Sequence, residues 1–188
     1  MRIDYDKNFE QERKQIKKML VLPILFYEYD ANDNLQNTEK EKELLETIHL
    51  AFDNMGKNVI YTDSFKTNKT SEYLNYLIPL QKDIIRSSDL HQDPYMFDGE
   101  KKKVTRKLFV QTPQIQPEYI AFSNKYDTPY VLFTGVVSKN GKSFHYIILT
   151  DIVKSEILYR RLNLLNKKVT NSNLYPVIYN SLFEIFNG

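Results

Sequence analysis

The chain has 188 residues, of which 41% are hydrophobic and 27% charged, a composition that excludes a disordered chain and is typical of a globular protein. The 26 Lys and Arg residues against 24 Asp and Glu residues leave a net charge of +2, which provides no general field for attracting nucleic acid. The chain contains no cysteine, which excludes disulfides, thiolate zinc sites, iron–sulfur clusters and a thiol nucleophile.

The N-terminal segment 1–19 is highly charged and has few apolar positions, which predicts an arm or a short helix. It contains no apolar signal core, no small-residue cleavage site and no lipidated cysteine. Two interpretations remain open: the protein is cytoplasmic, or a leader that directed export to the envelope has been removed. Residues 20–188 are long enough to form a single domain with its own core.

The first part of this domain predicts a strand, a helix and a second strand. The apolar run 20–27 is typical of a buried strand, and Pro23 places an edge or a strand end within it. The helix begins at Thr38, which forms a capping box with Glu41. It ends at Gly56, and the short apolar stretch after this glycine predicts the second strand.

The middle of the chain predicts two helices separated by an irregular segment. Residues 70–87 repeat apolar side chains at helical spacing, although Pro79 should kink or divide that helix. Polar residues and turn dipeptides follow over about 88–112, which predicts an irregular insertion in the domain. A short helix is predicted over 117–126, because Pro117 suits the first turn.

Three strands and a closing helix are predicted at the C-terminal end. The strands cover 130–138, 144–153 and 156–165, and the helix covers 172–186. Asn140-Gly141 is the strongest short-range hairpin signal, because both central residues of a type I′ turn need positive φ. The sequence therefore predicts an α/β fold: a mixed sheet of about five strands with a C-terminal three-stranded antiparallel meander, and helices packed on it.

Counting outward from the Asn-Gly turn predicts which residues face each other in the first hairpin. Val136 is expected opposite His145. Leu132 is expected opposite Leu149. Both faces of the meander are mainly apolar near the middle, so we expect much of both faces to be covered.

The second hairpin is predicted with Lys154-Ser155 as its two-residue loop. Leu149 then lies opposite Arg160, and Asp151 lies on a diagonal from Arg160. This pair could bind an ionic ligand, but a structural ion pair at the sheet margin is favoured. A bulge would shift the register and exchange the two faces.

A basic segment with aromatic neighbours, 95–107, is the strongest candidate for a surface interaction loop. Its candidate residues are Tyr95, Phe97, Lys101, Lys102, Lys103 and Arg106. Clustered cations bind phosphate, and aromatic rings stack on bases. Acidic residues within and before the segment nevertheless favour a solvated loop over a nucleic-acid site. At a membrane, the same residues would contact anionic headgroups.

No catalytic, metal or cofactor motif emerges. His49, His91 and His145 form no metal-binding pair, and a buried or half-buried role is favoured for histidines in such positions. The sequence contains no phosphate-binding glycine loop and no nucleophile elbow. It therefore predicts no catalytic residues, no cofactor and no metal, and a non-enzymatic protein.

Aromatic residues of the meander leave a small-ligand site open as an alternative. They are Phe133, Phe144, Tyr146 and Tyr159. A pocket beside these rings would suit a small ligand, whereas rings covered by a helix would simply be core.

One part of the sequence resembles a bacterial envelope superfamily. Residues 128–137, TPYVLFTGVV, form a strand with a Thr-Gly step at Gly135, and Asn140-Gly141 follows. The segment 149–159 then matches the group's next hairpin, with Ser155 where the group usually has glycine. These features resemble the superfamily that includes the amino-terminal domain of TolB, the curli-secretion lipoprotein CsgG and lipoprotein activators of penicillin-binding proteins.

The resemblance covers 128–186 and, as topology alone, 20–62. It implies a non-enzymatic, envelope-associated adaptor or assembly component, often a lipoprotein, whose partner is another envelope protein. Membrane proximity would come from a lipid anchor that has been removed. The absent side chain of Gly135 would let a neighbouring element approach closely. The alternatives are a cytoplasmic nucleic-acid-binding protein that uses 95–107, and a small-ligand-binding domain.

Overall fold

The structure, a computed structural model, describes residues 2–5, 9–22, 25–29, 34–36, 38–61, 101–103, 116–139, 142–165 and 171–187. These residues form nine strands and four helices. The strands are β1 Arg2–Tyr5, β2 Lys18–Val21, β3 Leu25–Tyr29, β4 Asn34–Gln36, β5 Asn58–Tyr61, β6 Lys101–Lys103, β7 Tyr130–Lys139, β8 Lys142–Asp151 and β9 Glu156–Leu165. The helices are α1 Phe9–Gln15, α2 Thr38–Met55, α3 Gln116–Tyr126 and α4 Asn171–Asn187.

The predicted α/β fold class is confirmed. All strands belong to one mixed sheet of order β4-β3-β7-β8-β9-β1-β6, in which β2 also pairs with β7 and β5. Strands β2 and β3 run parallel to β7, whereas β7, β8 and β9 form the predicted antiparallel meander. The sheet is larger than predicted because the run 20–27 contributes two strands and the short strands β1, β4 and β6 join it.

The predicted N-terminal arm contributes a strand and a helix to this architecture. Strand β1 pairs with β9, and Phe9 at the start of α1 is buried in the core. The predicted helix over 70–87 lies outside the described residues, and so does most of the predicted insertion 88–112.

Strands β2 and β3 lie end to end along the same edge of β7, with a shift of one residue between them. Leu20 pairs with Val131, but Leu25 pairs with Gly135, so the β2–β3 segment contains one residue more than β7 over this stretch. An extra residue moves the side chains that follow it to the opposite face. For this reason Phe26 shares a core with the odd-numbered residues of β2.

Both faces of the sheet are buried, as the apolar character of both faces predicts. Helices α1, α2 and α4 cover one face, called face A here, and α3 covers the other, called face B. Face A contributes Met19, Val21, Phe26, Leu132, Val136, Ile147, Leu149 and Tyr159 to the larger core. Face B contributes Leu20, Leu22, Val131, Phe133, Tyr146 and Ile148 to the smaller one. Each fully buried side chain of this kind contributes about 1.5–3 kcal/mol.

Helix α2 ends as its C-terminal glycine predicts. The amide of Gly56 donates to the carbonyl of Asp53 at 3.1 Å, and the amide of Lys57 donates to that of Phe52 at 3.4 Å. Gly56 has a φ of +61°. These two bonds and the left-handed glycine form a Schellman motif, which directs the chain from α2 into β5.

The first hairpin has the predicted register. Val136 pairs with His145, and Leu132 pairs with Leu149. The pairing of Lys139 with Lys142 leaves two residues between the strands, which is the predicted loop length. Those two residues, Asn140-Gly141, lie outside the described residues.

The second hairpin has a longer loop than the sequence predicts. Asp151 pairs with Glu156, so four residues, 152–155, connect β8 to β9. The predicted two-residue loop is therefore wrong. Oδ1 of Asp151 accepts hydrogen bonds from the amides of Val153 (3.0 Å) and Lys154 (2.9 Å), which stabilise the longer turn.

A β-bulge then changes the register of β9 a second time. Thr150 pairs with Ile157, but Leu149 pairs with Tyr159, so Leu158 is the extra residue. Leu158 and Tyr159 consequently both join the face A core. Beyond the bulge, every residue of β9 lies on the face opposite to the one predicted.

The last residue of the longer loop, Ser155, is in an unfavourable conformation. Its φ is +55°, it is 1% exposed, and its Oγ has no hydrogen-bond partner among the described residues. A left-handed conformation costs a residue with a side chain about 1–2 kcal/mol. A buried hydroxyl without a partner costs about 1–3 kcal/mol.

Replacing Ser155 by glycine is therefore expected to raise the free energy of unfolding by about 1 kcal/mol or more, as measured by urea denaturation. Ser155→Ala is the matched control, because it removes the hydroxyl and keeps the strained φ. A glycine variant less stable than the alanine variant would contradict the assignment of strain.

Candidate functional site

The predicted interaction loop lies only partly within the described residues. Lys101–Lys103 form strand β6, which pairs in parallel with β1 at one end of the described strand order. Tyr95, Phe97 and Arg106 lie outside the described residues. The three lysines therefore belong to a strand rather than to a loop.

Gly135 lies in the middle of the sheet. It pairs with Leu25 of β3 on one side and with Tyr146 of β8 on the other. The close approach expected at this glycine stays a prediction.

The predicted diagonal between Asp151 and Arg160 is not formed. Because of the four-residue loop and the bulge, Arg160 lies opposite Ile148, and the two charged residues occupy opposite faces. Asp151 instead lies 3.3 Å from Nζ of Lys154, which is also 3.4 Å from a carboxylate oxygen of Glu12 in α1. The acidic group thus stabilises its own loop.

Among the described residues, a cluster of polar side chains lies between face A and α4, and all of its members except Glu184 are buried. It comprises Thr134, His145, Arg161, Asn163, Ser181 and Glu184, and is called the polar network below. Its first four members come from adjacent strands, in which alternate residues share a face. The other two come from α4, so the network links sheet and helix.

The hydrogen bonds of Thr134 define the tautomer of His145. The Thr134 hydroxyl donates to the carbonyl of Tyr146 at 2.9 Å, so it acts as acceptor towards Nε2 of His145 at 3.0 Å. His145 therefore has its proton on Nε2. Its Nδ1 is then free to accept from Nδ2 of Asn163, at 3.4 Å.

Asn163 connects the sheet to α4. Its Oδ1 accepts from Nε of Arg161 at 3.0 Å, and its Nδ2 donates to Oγ of Ser181 at 3.2 Å. Ser181 donates in turn to the carbonyl of Val177 at 2.6 Å. These bonds are mutually consistent in direction, which is what a buried polar network requires to be stabilising.

Arg161 and Glu184 form an ion pair at the end of the network nearest to α1. Nη1 of Arg161 lies 2.5 Å from Oε2 of Glu184, and the two side chains are 10% and 30% exposed. The backbone carbonyl of Glu184 accepts a further hydrogen bond from Nη1 of Arg13, at 3.2 Å. Glu184 therefore joins α1, β9 and α4.

Burial determines the charge state of the histidine in this network. His145 is fully buried, and burial, with a further contribution from the Arg161 guanidinium, lowers the pKa of His145 to about 3. The imidazole is neutral at pH 7 and has no access to solvent. The prediction of a buried or half-buried role is confirmed for His145 and for His49, which is half-buried and whose pKa is lowered mainly by burial. His91 lies outside the described residues.

The aromatic residues that could have lined a ligand pocket are core residues. Phe133 and Tyr146 are buried on face B, in the same core as Tyr119 and Phe122 of α3. Tyr159 lies on face A instead, with its ring 5.1 Å from that of Phe9. Phe133, Tyr146 and Tyr159 are therefore core residues beneath helices, and Phe144 is buried as well.

The side chains of the polar network bond to one another and connect the meander to α4. Within the described ranges, no three His, Asp or Glu side chains are grouped so as to hold a metal ion. Among the helices that the structure describes, none is long and apolar enough to cross a membrane.

The predicted register, in which Leu149 lies opposite Arg160, separates His145 from Arg161 and Asn163. The bulge at Leu158, which the predicted register lacks, brings Arg161 and Asn163 onto the face of His145. Ser181 lies one turn from Val177 and from Ile185, so it interrupts the apolar side of α4, and Glu184 is the one charged residue of that helix. These two departures from the helix pattern are the sequence signals that point to them.

No protein-family model matches the sequence, and no curated protein matches it. Solved structures similar in chain path include lipoprotein GNA1162 from Neisseria meningitidis, with 14% identity over 92% of this chain and 98% of that chain and a TM-score of 0.43. The PelC dodecamer from Paraburkholderia phytofirmans has 9% identity over 92% of this chain and 88% of that chain, with a TM-score of 0.40. The LpoB C-terminal domain from Escherichia coli has 13% identity over 84% and 94%, with a TM-score of 0.38.

Proposed function

We propose that this chain is a non-enzymatic protein of the bacterial cell envelope that acts by protein–protein contact, as a lipoprotein-type adaptor or assembly component. The observation that carries the proposal is the polar network. The histidine, arginine and carboxylate that could have formed a reactive site are engaged in joining the meander to α4. These side chains connect the sheet to the helix that covers it.

The envelope location rests on the sequence resemblance over 128–186. That segment includes β7, β8, β9 and α4, the elements that the polar network joins. Ser155 adds a detailed point of support, because the envelope superfamily usually has glycine there and this chain adopts the left-handed conformation that suits glycine. In this proposal the partner is another envelope protein, and a lipid anchor provides membrane proximity.

Fractionation of cells that express the complete native gene tests the proposal, with mass spectrometry of the mature N-terminus. We expect the protein in the envelope fraction, with a cleaved or lipidated N-terminus. An unprocessed protein found only in the cytosol would overturn the envelope assignment. In that case salt-dependent binding of nucleic acid by Lys101–Lys103 would become the next function to measure.

A further inference from the structure

The outward side of α4 carries a regular stripe, called the α4 stripe here. It consists of Asn173, Pro176, Asn180, Phe183 and Asn187. The spacing alternates between three and four residues, as in the contact seam of a coiled coil. The last four are exposed, and Phe183 has 44% of its surface exposed. The stripe lies away from the core residues of the same helix, such as Ile178 and Leu182.

The α4 stripe contains no charge. Among the 17 residues of α4 the only charged one is Glu184, and it forms an ion pair with Arg161 of the sheet. The chain as a whole is 27% charged, so a surface helix of this length would be expected to carry several charges. Depletion of charge and enrichment in aromatic residues characterise the centres of protein interfaces.

Aromatic rings along one edge of the stripe are already ordered. The rings of Tyr175 and Tyr179 are stacked with centroids 5.9 Å apart, and those of Tyr179 and Phe183 with centroids 6.1 Å apart. The hydroxyl of Tyr175 also accepts a hydrogen bond from Nδ2 of Asn54 in α2, at 2.9 Å. Side chains that are held before association lose less conformational entropy when a partner binds.

We propose that the α4 stripe pairs with the same stripe of a second copy of this chain, related by a two-fold axis. In such a pair each patch meets itself, so charges would face like charges, whereas an uncharged stripe avoids this repulsion. Asn173, Asn180 and Asn187 occupy equivalent seven-residue positions. An asparagine amide both donates and accepts, so it is self-complementary, and an asparagine at a seam position specifies register and oligomeric state at a cost in stability. This inference is independent of the proposed envelope function.

Sedimentation equilibrium of the full chain tests the inference, with Phe183→Glu as the main variant. We expect the wild-type protein to form a dimer that dissociates on dilution. Glutamate at 183 places two like charges at the interface and should raise the dimer dissociation constant by about 100-fold or more. Ile120→Glu is the matched control, because Ile120 is 45% exposed but lies on α3, which covers the opposite face of the sheet. This control should leave the dimer intact.

Circular dichroism shows whether Phe183→Glu is folded. If it is not, a second variant, Asn180→Asp, provides the same test. It changes one exposed amide into a charge and should also dissociate the dimer. A monomeric wild-type protein at about 100 μM overturns the inference, and so does a dimer that survives both stripe variants or is lost in Ile120→Glu. A stable dimer with an unprocessed, cytosolic N-terminus would support this inference while overturning the proposed function.

Discussion

Acidification below pH 6.5 is expected to destabilise this protein with a slope that approaches about 1.4 kcal/mol per pH unit from His145 alone. Burial, with a further contribution from Arg161, lowers the pKa of His145 to about 3 in the folded protein. In the unfolded chain the histidine binds a proton near its ordinary pKa of 6.5. The unfolded state therefore holds more protons between these values. The stabilisation by neutral His145 is complete above pH 6.5 and is lost as the pH falls towards 3.

Urea denaturation of the wild-type protein and of His145→Gln between pH 7 and pH 4 measures this effect. Glutamine lacks the titrating group, so its stability should depend less steeply on pH, although the variant starts from a lower value. Carboxylates contribute equally to both curves, and the difference isolates His145. Parallel curves would contradict the assignment. Nitrogen-15 NMR of the imidazole provides a direct check, since the structure requires the Nε2 proton tautomer across this pH range.

Replacing Glu184 by alanine is expected to lower the free energy of unfolding by about 2–3 kcal/mol. The change removes the carboxylate that lies 2.5 Å from Arg161, whose side chain is only 10% exposed. A guanidinium in this position loses its counter-charge but stays largely desolvated. Partial exposure of Glu184, at 30%, keeps the expected loss below that of a fully buried pair.

Glu10→Ala is the control for this prediction. Glu10 also forms an ion pair with an arginine, Arg13, but its side chain is 59% exposed, so the expected loss is below about 1 kcal/mol. Combining Glu184→Ala with Arg161→Met should recover part of the stability, because the uncompensated charge is then absent. A double variant as unstable as the sum of the two single variants would show that the charge is not the cause.

The sequence predicts structure well where local chemistry determines the geometry. The Asn-Gly dipeptide determines the register of the first hairpin, and the alternation of apolar residues then assigns its faces correctly. Gly56 ends α2 because a left-handed residue is needed there. These features depend on neighbours within a few positions, so a single sequence is enough to identify them.

The sequence-based prediction fails where a side chain changes the number of residues in a loop, or where pairing with a distant strand changes the register or adds a strand. The carboxylate of Asp151 recruits two amides and lengthens the second loop, and the bulge at Leu158 then moves Asn163 onto face A. The bulge has no signature in the sequence, because Leu158 is as apolar as its neighbours. The short strands β1 and β6 likewise depend on pairing with distant residues. The polar network could not be assembled from the sequence for the same reason.

The pairing of β2 with β7 also has a consequence during synthesis. Leu20 and its partner Val131 are more than a hundred positions apart, so β2 and β3 leave the ribosome long before β7 exists. At ordinary rates of translation this delay lasts about 5–20 s. The meander of β7, β8 and β9 consists of near neighbours and can form rapidly once it is made. Strands β2 and β3 therefore pair with β7 only after most of the meander has been made. Until then, the edges that will pair with β7 are exposed and must be protected from aggregation.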